Sequence, residues 1–482
     1  MRKSPRHSSR RTVLKNMLVG AGAATALPAS CLTAADGVPL PQAREVHIRI
    51  HLDEKLGPLN IDHYGVGHGG YWDEPTWLDR VSEVRALQSK LIRLFVQEYY
   101  DVLPEPGRYN WEKLDRSVGM ILRAGAKPLM CLTLKPKILF PKVDQDVVNP
   151  TSWPAWEELL YNLVQHQLKR GAGISYWEVG NEGDIGAGGG CPYRFTPETY
   201  LPYYQHTVTA IRKADPAAHV GGPALAIYTS PHAPALLAFC DKNKVPLDFV
   251  SWHIYNKDPQ VFRKSIAYMK DLLRKYPSML IETILDEWNM SIGRYRRNLA
   301  FQPCFVAEVT YQMVEGGLDY GCYYHIRDGY VTPEVMSFLP WWNPADWNRI
   351  SLELGIFDFQ NVIRPTYFLF RLMSRLAGER VKLETTDSAV HGLAAYDSTL
   401  EVYSLLLWNF SESAARAGLT FEGAPSDLTA HRVVLDAETP SNEEFARLRQ
   451  EEPINLTHAG GMRASIDLQP YQVIFWALTK AA

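Results

Sequence analysis

Two glutamates, Glu182 and Glu287, are the residues of this sequence best placed to do chemistry. Each lies at the end of a short apolar run, the first in ISYWEVGNEGD and the second in SMLIETILDEWNMS. Apolar runs of this length, bounded by polar residues, predict buried strands. A carboxylate at the end of such a strand can act as a general acid, a general base or a nucleophile. A single glutamate of this kind is more often a surface residue. The presence of a second run that also ends in a glutamate favours a catalytic role for both.

The spacing of the two runs predicts the fold that would position these carboxylates. They lie 105 residues apart, which leaves room for about three strand and helix units of ordinary length. Two further apolar runs, residues 219–225 and 248–255, would supply the intervening strands. Glu182 would then end strand four and Glu287 strand seven of eight, nearly opposite each other. The sequence therefore predicts an α/β fold, a (β/α)8 TIM barrel.

Opposed carboxylates at the mouth of a barrel indicate one particular chemistry. Two carboxyl groups on either side of a scissile glycosidic bond are the working parts of glycoside hydrolysis. Asn181, directly before Glu182, would be free to hydrogen-bond a sugar hydroxyl. The aromatic content of 11%, with 13 Trp, suits a carbohydrate site because the C–H faces of sugars pack on aromatic rings.

The first three predicted strands contribute three further candidates that would bind or support a substrate. His68 lies in the glycine-rich segment IDHYGVGHGG, where the backbone could approach a substrate closely. Arg93 is a charge inside the buried run SKLIRLFVQE, which is costly unless the charge is paired. It would brace Glu287, or it would simply point to the outside of the barrel. Thr133 lies near the end of the third run, AKPLMCLTLKP.

Strand six ends in Ser-Trp-His-Ile-Tyr, and its His253 and Tyr255 face the same side because they are two residues apart. If that side is the pocket, Tyr255 would hydrogen-bond the nucleophile. His253 would contact the sugar or the acid/base, although a histidine in a strand is otherwise a satisfied core residue.

Aromatic and polar residues near strands seven and eight complete the set of candidates. Trp288 follows Glu287 directly, and Tyr324 and His325 would stand near the mouth at the end of strand eight. Trp342 lies in the aromatic loop SFLPWWNPADW, which would form a wall of the subsites or pack two domains together.

Composition favours a large globular enzyme and excludes several other classes. With 482 residues, 46% hydrophobic residues and a net charge of -3, the chain can bury a barrel-sized core and has no electrostatic reason to bind nucleic acid. The six cysteines show neither zinc-site nor disulfide-framework spacing, and the expected chemistry requires no metal and no cofactor.

The first residues resemble a targeting signal rather than part of the fold. Ser-Arg-Arg-Thr-Val-Leu-Lys, residues 9–15, precedes a weakly apolar stretch, a pattern typical of twin-arginine export. A periplasmic or secreted protein is therefore expected. Cys31 offers an alternative as a lipid anchor, and no later run is apolar for long enough to span a bilayer.

The C-terminal part changes character after a final barrel helix at 366–376. Short alternating runs separated by turn residues predict a small antiparallel β-sandwich, and EVHIRIHL near the N-terminus is expected to pair with it. The predicted order is an export signal, an N-terminal strand, a catalytic barrel and the sandwich, at residues 1–35, 36–58, 59–378 and 379–482 respectively.

Several of these segments resemble glycoside hydrolase family 39, which contains β-xylosidases and α-L-iduronidases. YWEVGNEGD resembles the acid/base motif of the family and ILDEWNMS its nucleophile motif, so the resemblance implies Glu182 as acid/base and Glu287 as nucleophile. The sequence departs from the family pattern at Gly183, where proline is common, and at Tyr324 and His325, where tryptophan is common. The DEWN segment also resembles arabinofuranosidases of family 51.

The resemblance implies a retaining hydrolase that works by double displacement and acts on a plant-type or microbial polysaccharide or oligosaccharide. An exo-acting, β-xylosidase-like enzyme is the first expectation. An α-L-arabinofuranosidase or a bioside-releasing exo-glycosidase is the alternative among enzymes. A catalytically silent glycan-binding protein is the alternative from another class, since a fold does not by itself give a function.

Overall fold

The computed structural model describes residues 43–70, 74–142, 144–185, 192–290, 300–330, 333, 345, 354–436 and 448–481, all within one compact unit, Ala43–Ala482. The predicted export signal, Cys31 and Trp342 lie outside the described residues and stay predictions. None of the helices among the described residues is long and apolar enough to cross a bilayer.

Eight parallel strands form a barrel, and each is followed by a helix, which confirms the predicted fold class. The chain begins with a separate strand, β1 (Arg44–Pro58), before the barrel strands. The barrel strands are β2 (Tyr64–Val66), β3 (Leu91–Val96), β4 (Lys127–Leu132), β5 (Tyr176–Val179), β6 (His219–Leu225), β7 (Phe249–Tyr255), β8 (Glu282–Asn289) and β9 (Tyr320–Tyr323). The helices are α1 (Val81–Arg85), α2 (Glu112–Arg123), α3 (Trp153–Lys169), α4 (Pro197–Ala214), α5 (His232–Asn243), α6 (Pro259–Leu273), α7 (Phe301–Gly316) and α8 (Pro365–Met373).

The barrel closes between its first and second strands. Strands β2 to β9 pair in parallel, with β2 beside β9, and the amide of His68 donates to the carbonyl of Arg93 at 2.9 Å across the remaining gap. Below the mouth, the interior is filled by a cluster of large side chains from six strands, so the barrel is packed rather than open. The members of this cluster are Leu91, Leu129, Tyr176, Phe249, Ile284 and Tyr320.

The C-terminal strands form one nine-stranded sheet that folds over its own core as a β-sandwich. Its strands after β1 are β10 (Glu379–Thr385), β11 (Val390–Asp397), β12 (Val402–Asn409), β13 (Ala415–Glu422), β14 (Leu428–Leu435), β15 (Arg449–Leu456), β16 (Arg463–Leu468) and β17 (Val473–Lys480). Strand β1 lies between β10 and β13, antiparallel to the first and parallel to the second. Side chains from distant strands meet in the core, as where the rings of Phe421 and Trp476 lie 6.0 Å apart.

A buried carboxylate joins the barrel to the sandwich. Glu308 of α7 is 3% exposed and accepts hydrogen bonds of 2.8 Å each from His391 of β11, Trp408 of β12 and Gln312 one turn along its own helix. Although burial opposes its ionisation, the hydrogen bonds and the nearby His391 hold the pKa of Glu308 below its usual value. An ionised carboxylate with three donors is therefore part of the interface between the two sheets.

We expect Glu308→Gln to lower the free energy of unfolding by about 2 kcal/mol at neutral pH, because charge-assisted hydrogen bonds are replaced by weaker ones. Since the folded pKa of Glu308 is depressed, its contribution is complete above the unfolded pKa and is lost as pH falls through the folded pKa. Urea denaturation across acidic pH should therefore show wild type and variant converging on acidification. A constant difference between the two at every pH would contradict this role.

Candidate active site

Glu182 stands at the mouth of the barrel just after β5, held in an unusual backbone conformation. Its φ is +50°, in the left-handed region that non-glycine residues seldom adopt, and its amide donates to the carbonyl of Ala224 at 2.8 Å. Gly183 follows, and a Cβ at that position would lie 2.6 Å from the Phe195 ring. The loop after Glu182 is thus packed tightly enough to hold a strained residue in place.

Glu287 is delivered by β8, where a β-bulge places two consecutive carboxylates on the same side. In the pairing of β7 with β8, Trp252 faces Leu285 but the next residue, His253, faces Glu287. Asp286 is the extra residue, and as a result both Asp286 and Glu287 point into the barrel, where each contacts His253. Bulges commonly redirect side chains next to active sites.

The same geometry corrects the prediction that Trp288 binds or supports the substrate. Trp288 is fully buried on the outer side of the barrel, with its ring 5.8 Å from Phe262 of α6 and 5.1 Å from Tyr323 of β9. After Glu287, the ordinary alternation of a strand resumes and turns the next side chain outward. Trp288 is therefore a core residue between the barrel and its helices.

Two donors hold the Glu287 carboxylate. Tyr255 donates its hydroxyl to one oxygen at 2.5 Å, and Arg93 donates to the other at 2.9 Å. Burial raises the pKa of Glu287, and the positive charges of His253 and Arg93 together with the Tyr255 hydroxyl oppose that rise. The structure therefore shows Tyr255 in the predicted position, with a fixed and desolvated carboxylate of the kind that can act as a nucleophile.

Arg93 points into the barrel, so its alternative outward orientation is not what the structure shows. The guanidinium contacts three carboxylates, Glu178 at 2.7 Å, Asp286 at 3.0 Å and Glu287 at 2.9 Å. It is only 2% exposed and lies over the ring of Phe95, 4.6 Å from its centroid. One buried cation thus holds three carboxylates in place at the base of the site.

Asn181 is oriented by that arginine. Arg93 donates to Oδ1 of Asn181 at 2.7 Å. Because a guanidinium can only donate, the oxygen of the amide must face Arg93, and the NH2 group must face the other way. Asn181 is therefore held as a hydrogen-bond donor beside Glu182, which suits its predicted contact with a sugar hydroxyl.

His253 lies between the two strands that carry the carboxylates. Its Nδ1 is 2.9 Å from Oε1 of Glu182 and 3.9 Å from Oε1 of Glu287, and its Nε2 is 3.0 Å from Asp286. Burial would lower the pKa of His253, but the negative charges of Glu287 and Asp286 raise it well above its usual value. The structure thus brings His253 into contact with Glu182 rather than leaving it as an ordinary core histidine.

The carboxylates of Glu182 and Glu287 are close together. One oxygen of each and a ring nitrogen of His253 all lie within 4.8 Å of one another. This fits the separation of about 5 to 5.5 Å in retaining glycosidases and not the 6.5 to 9.5 Å of inverting ones. Such a trio could also hold a cation, but Arg93 and the imidazole of His253 already supply positive charge to these carboxylates.

His68 and Thr133 are buried and braced by their neighbours. His68 accepts a hydrogen bond at Nδ1 from the Trp77 indole at 2.8 Å, and burial lowers its pKa to about 3, so it is neutral with its proton on Nε2. Thr133 donates its hydroxyl to the carbonyl of Val96 at 3.3 Å and is fully buried. Thr133 therefore supports the ends of β3 and β4 and does not face the substrate.

The two residues predicted from strand eight have different environments. Tyr324 is 5% exposed, and its ring lies 6.3 Å from that of Tyr255, the tyrosine that donates to Glu287. His325 is fully buried, stacks on Tyr324 and bonds through Nε2 to Asp328 at 3.1 Å. His325 consequently supports the site from behind, and the predicted contact of Trp342 lies outside the described residues.

The sequence assigns no catalytic role to Asp286 and Glu178, two carboxylates that the structure places in contact with Arg93. A regular strand would turn Asp286 away from Glu287, and a bulge leaves no clear mark in a single sequence. Glu178 lies four residues before Glu182, and its carboxylate accepts from Arg93 at 2.7 Å. Burial raises the pKa of Glu178 to about 7.

A parallel barrel with two opposed carboxylates at the ends of its fourth and seventh strands is the arrangement of glycoside hydrolases. The model of glycosyl hydrolases family 39 matches residues 101–409, and the chain belongs to this family. This confirms the family to which the sequence motifs pointed.

One curated relative and two solved structures show what the chain is similar to in sequence and in fold. The chain is 26% identical over 313 residues to a β-xylosidase of Caldicellulosiruptor saccharolyticus, covering 58% of this chain and 59% of that relative. The chain thus spans about three fifths of the relative's length. In fold it resembles the GH39 enzyme from Xanthomonas axonopodis pv. citri, with a TM-score of 0.72 at 17% identity, covering 91% of this chain and 98% of that one. It also resembles an α-L-arabinofuranosidase from Thermotoga maritima, with a TM-score of 0.63 at 14% identity, covering 90% and 99%.

Proposed function

We propose that this protein is a retaining exo-glycosidase that releases β-linked xylose from plant-type or microbial oligosaccharides or polysaccharides. The observation that carries the chemistry is the short separation of the Glu182 and Glu287 carboxylates, which leaves no room for a water between nucleophile and sugar. The likeness to a relative named β-xylosidase supports the sugar. Neither a metal nor an organic cofactor takes part in the proposed reaction.

The reaction would proceed in two displacements. In the first, a carboxylate oxygen of Glu287 bonds to the anomeric carbon while Glu182 gives its proton to the leaving oxygen, and the glycosidic bond breaks. In the second, Glu182 takes a proton from water, the water oxygen bonds to the anomeric carbon, and the bond to Glu287 breaks. Arg93 and Tyr255 hold Glu287 in place for the attack, and the amide of Asn181 donates to a hydroxyl of the same sugar.

The test is hydrolysis of a panel of aryl glycosides by the purified protein: β-D-xyloside, α-L-arabinofuranoside, β-D-galactoside and β-D-glucoside. We expect release from the β-D-xyloside, and we expect NMR of the first product to show the β anomer. A first product with the opposite anomeric configuration would exclude double displacement. Silence on every sugar, with binding to a polysaccharide retained, would leave the catalytically silent glycan-binding protein as the function.

An α-L-arabinofuranosidase is the second candidate. It is favoured by the DEWN segment of β8 and by the likeness in fold to the Thermotoga maritima enzyme. Preference for the arabinofuranoside in the same panel would establish it in place of the xylosidase. Release of a disaccharide from a natural oligosaccharide, in place of a single sugar, would identify a bioside-releasing enzyme.

We also propose export of the protein to the periplasm or beyond by the twin-arginine route. The support is the sequence Ser-Arg-Arg-Thr-Val-Leu-Lys at residues 9–15 and the apolar stretch behind it. Replacing Arg10 and Arg11 by lysine should retain the protein in the cytoplasm, which cell fractionation would show. Unchanged export of that variant would contradict the route, and metabolic labelling with palmitate would reveal a lipid anchor at Cys31.

A further inference from the structure

We propose that Asp286 is a positioning residue that controls the proton on Glu182 through His253. The inference rests on the proposed hydrolytic function and adds to it a third carboxylate, which acts on the acid/base without touching the substrate. It arises from the bulge in β8, which turns Asp286 into the barrel beside the nucleophile.

The contacts form an unbroken chain of three side chains. Oδ2 of Asp286 is 3.0 Å from Nε2 of His253, and Nδ1 of the same ring is 2.9 Å from Oε1 of Glu182. Asp286 and His253 are each 1% exposed, so water does not compete for the bond between them. A change of charge on Asp286 therefore alters the charge of the imidazole ring that contacts the Glu182 carboxyl group.

The direction of the hydrogen bonds follows from the chemistry of the partners. An ionised carboxylate can only accept, and Arg93 and His253 hold the pKa of Asp286 below its usual value despite its burial. Nε2 of His253 must therefore carry a proton. This fixes the orientation of the ring and aims Nδ1 at Glu182.

The charges around His253 decide whether Nδ1 carries a proton as well. Asp286, Glu287 and Glu182 face the ring, and Arg93 stands behind Asp286 at 3.0 Å. The ionised carboxylates of Asp286 and Glu287 beside one imidazole favour the imidazolium. Nδ1–H then donates to Oε1 of Glu182, which leaves Oε2 to carry the proton that goes to the leaving oxygen.

The imidazolium has a second effect after that proton has left. It stabilises the Glu182 carboxylate that remains, so it makes proton donation easier. Asp286 is needed because it compensates the buried positive charge of His253. An uncharged amide at position 286 would keep the shape of the side chain but would let His253 become neutral.

The experiment compares wild type with Asp286→Asn on two β-D-xylosides. Phenol is a poor leaving group that needs a proton, whereas 2,4-dinitrophenol leaves without one. We expect Asp286→Asn to lower kcat/KM about 30-fold on the phenyl xyloside and less than about 3-fold on the dinitrophenyl xyloside, since general acid catalysis is worth about 10² to 10⁴ in rate. The alkaline limb of the pH profile should move to higher pH, because the acid/base has lost its cationic neighbour.

Two further variants separate this role from other effects. His253→Asn should give the same selective loss, and the double variant should lose no more than either single one, because both changes break the same chain. Asp184→Asn is the matched control: its carboxylate lies on the same loop as Glu182 but accepts from the amides of Ala226 and Ile227, at 2.9 and 3.1 Å. It should leave the pH profile unmoved.

An equal loss on both xylosides with an unmoved alkaline limb would overturn the role of Asp286 while leaving the proposed function intact. Additive losses in the double variant would also overturn it. Thermal unfolding would reveal whether Asp286→Asn folds. If it does not, the same comparison is made with His253→Asn, and an unmoved alkaline limb in that variant would again overturn the role of Asp286. Absence of hydrolysis of both xylosides by wild type would remove the proposed function itself.

Discussion

Replacement of Glu287 by alanine should lower kcat roughly 10⁵-fold, since it removes the group that forms the covalent intermediate. The cavity left behind lies against Arg93 and Tyr255, whose donors now face an empty space that a small anion can fill. Azide should therefore restore turnover of a dinitrophenyl glycoside. It should attack from the position of the lost carboxylate and yield a glycosyl azide of inverted configuration, which NMR identifies.

Two controls make this result specific. Glu182→Ala in azide should give the glycosyl azide of retained configuration, because the anion then reacts with the covalent intermediate from the acid/base side. Glu282→Gln changes the same residue type at the opposite end of β8, where Glu282 accepts from the Tyr176 hydroxyl at 2.8 Å, and should keep nearly full activity. A glycosyl azide of inverted configuration from the Glu182 variant would instead make Glu182 the nucleophile and Glu287 the acid/base.

Arg93→Met should lower the free energy of unfolding by about 3 to 5 kcal/mol at neutral pH. The variant keeps an apolar stem but leaves Glu178, Asp286 and Glu287 without their shared cation in a buried site, and stranded buried charges are costly. The deficit should shrink on acidification, as these carboxylates take up protons. Urea denaturation at neutral and acidic pH, followed by tryptophan fluorescence, measures the loss in free energy of unfolding and its change with pH.

The same variant should be impaired in catalysis for a separate reason. Arg93 helps to hold down the pKa of Glu287, so its loss raises that pKa and the acid limb of kcat/KM moves to higher pH. Arg116→Met is the matched control, because Arg116 is a half-exposed arginine paired with Glu74 and Glu112 on the surface. Its stability should change by less than about 0.5 kcal/mol. Equal losses from the two arginine variants would contradict the buried network.

The barrel and the position of the two carboxylates at its mouth were predictable because their signals are local and repeated. Each of the two carboxylates follows an apolar run, and the number of residues between them fixes the count of intervening strands. The strand predicted at residues 219–225 is found with those bounds as β6. The sequence does not decide whether Arg93 points inward, since the cost of a buried charge does not reveal where its partners are.

Two features lay beyond the reach of a single sequence. The bulge in β8 depends on how that strand pairs with both neighbours, and it decides that Asp286 faces the pocket and Trp288 does not. The sequence of strand β15, RQEEPINL, does not predict a strand because it is charged and contains Pro453. These are features of an edge strand, and β15 does end the nine-stranded sheet.

The position of β1 has a consequence for how the protein is made. Arg44 pairs with Ala415, so this strand leaves the ribosome 371 residues before its parallel neighbour. At a synthesis rate of about 5 to 20 residues per second, β1 stays without that partner for roughly 20 to 70 s. Its apolar face is exposed during that time, while the barrel can already assemble. A fragment that ends after the barrel would keep this strand permanently unpaired, so a soluble barrel fragment would have to begin after Pro58.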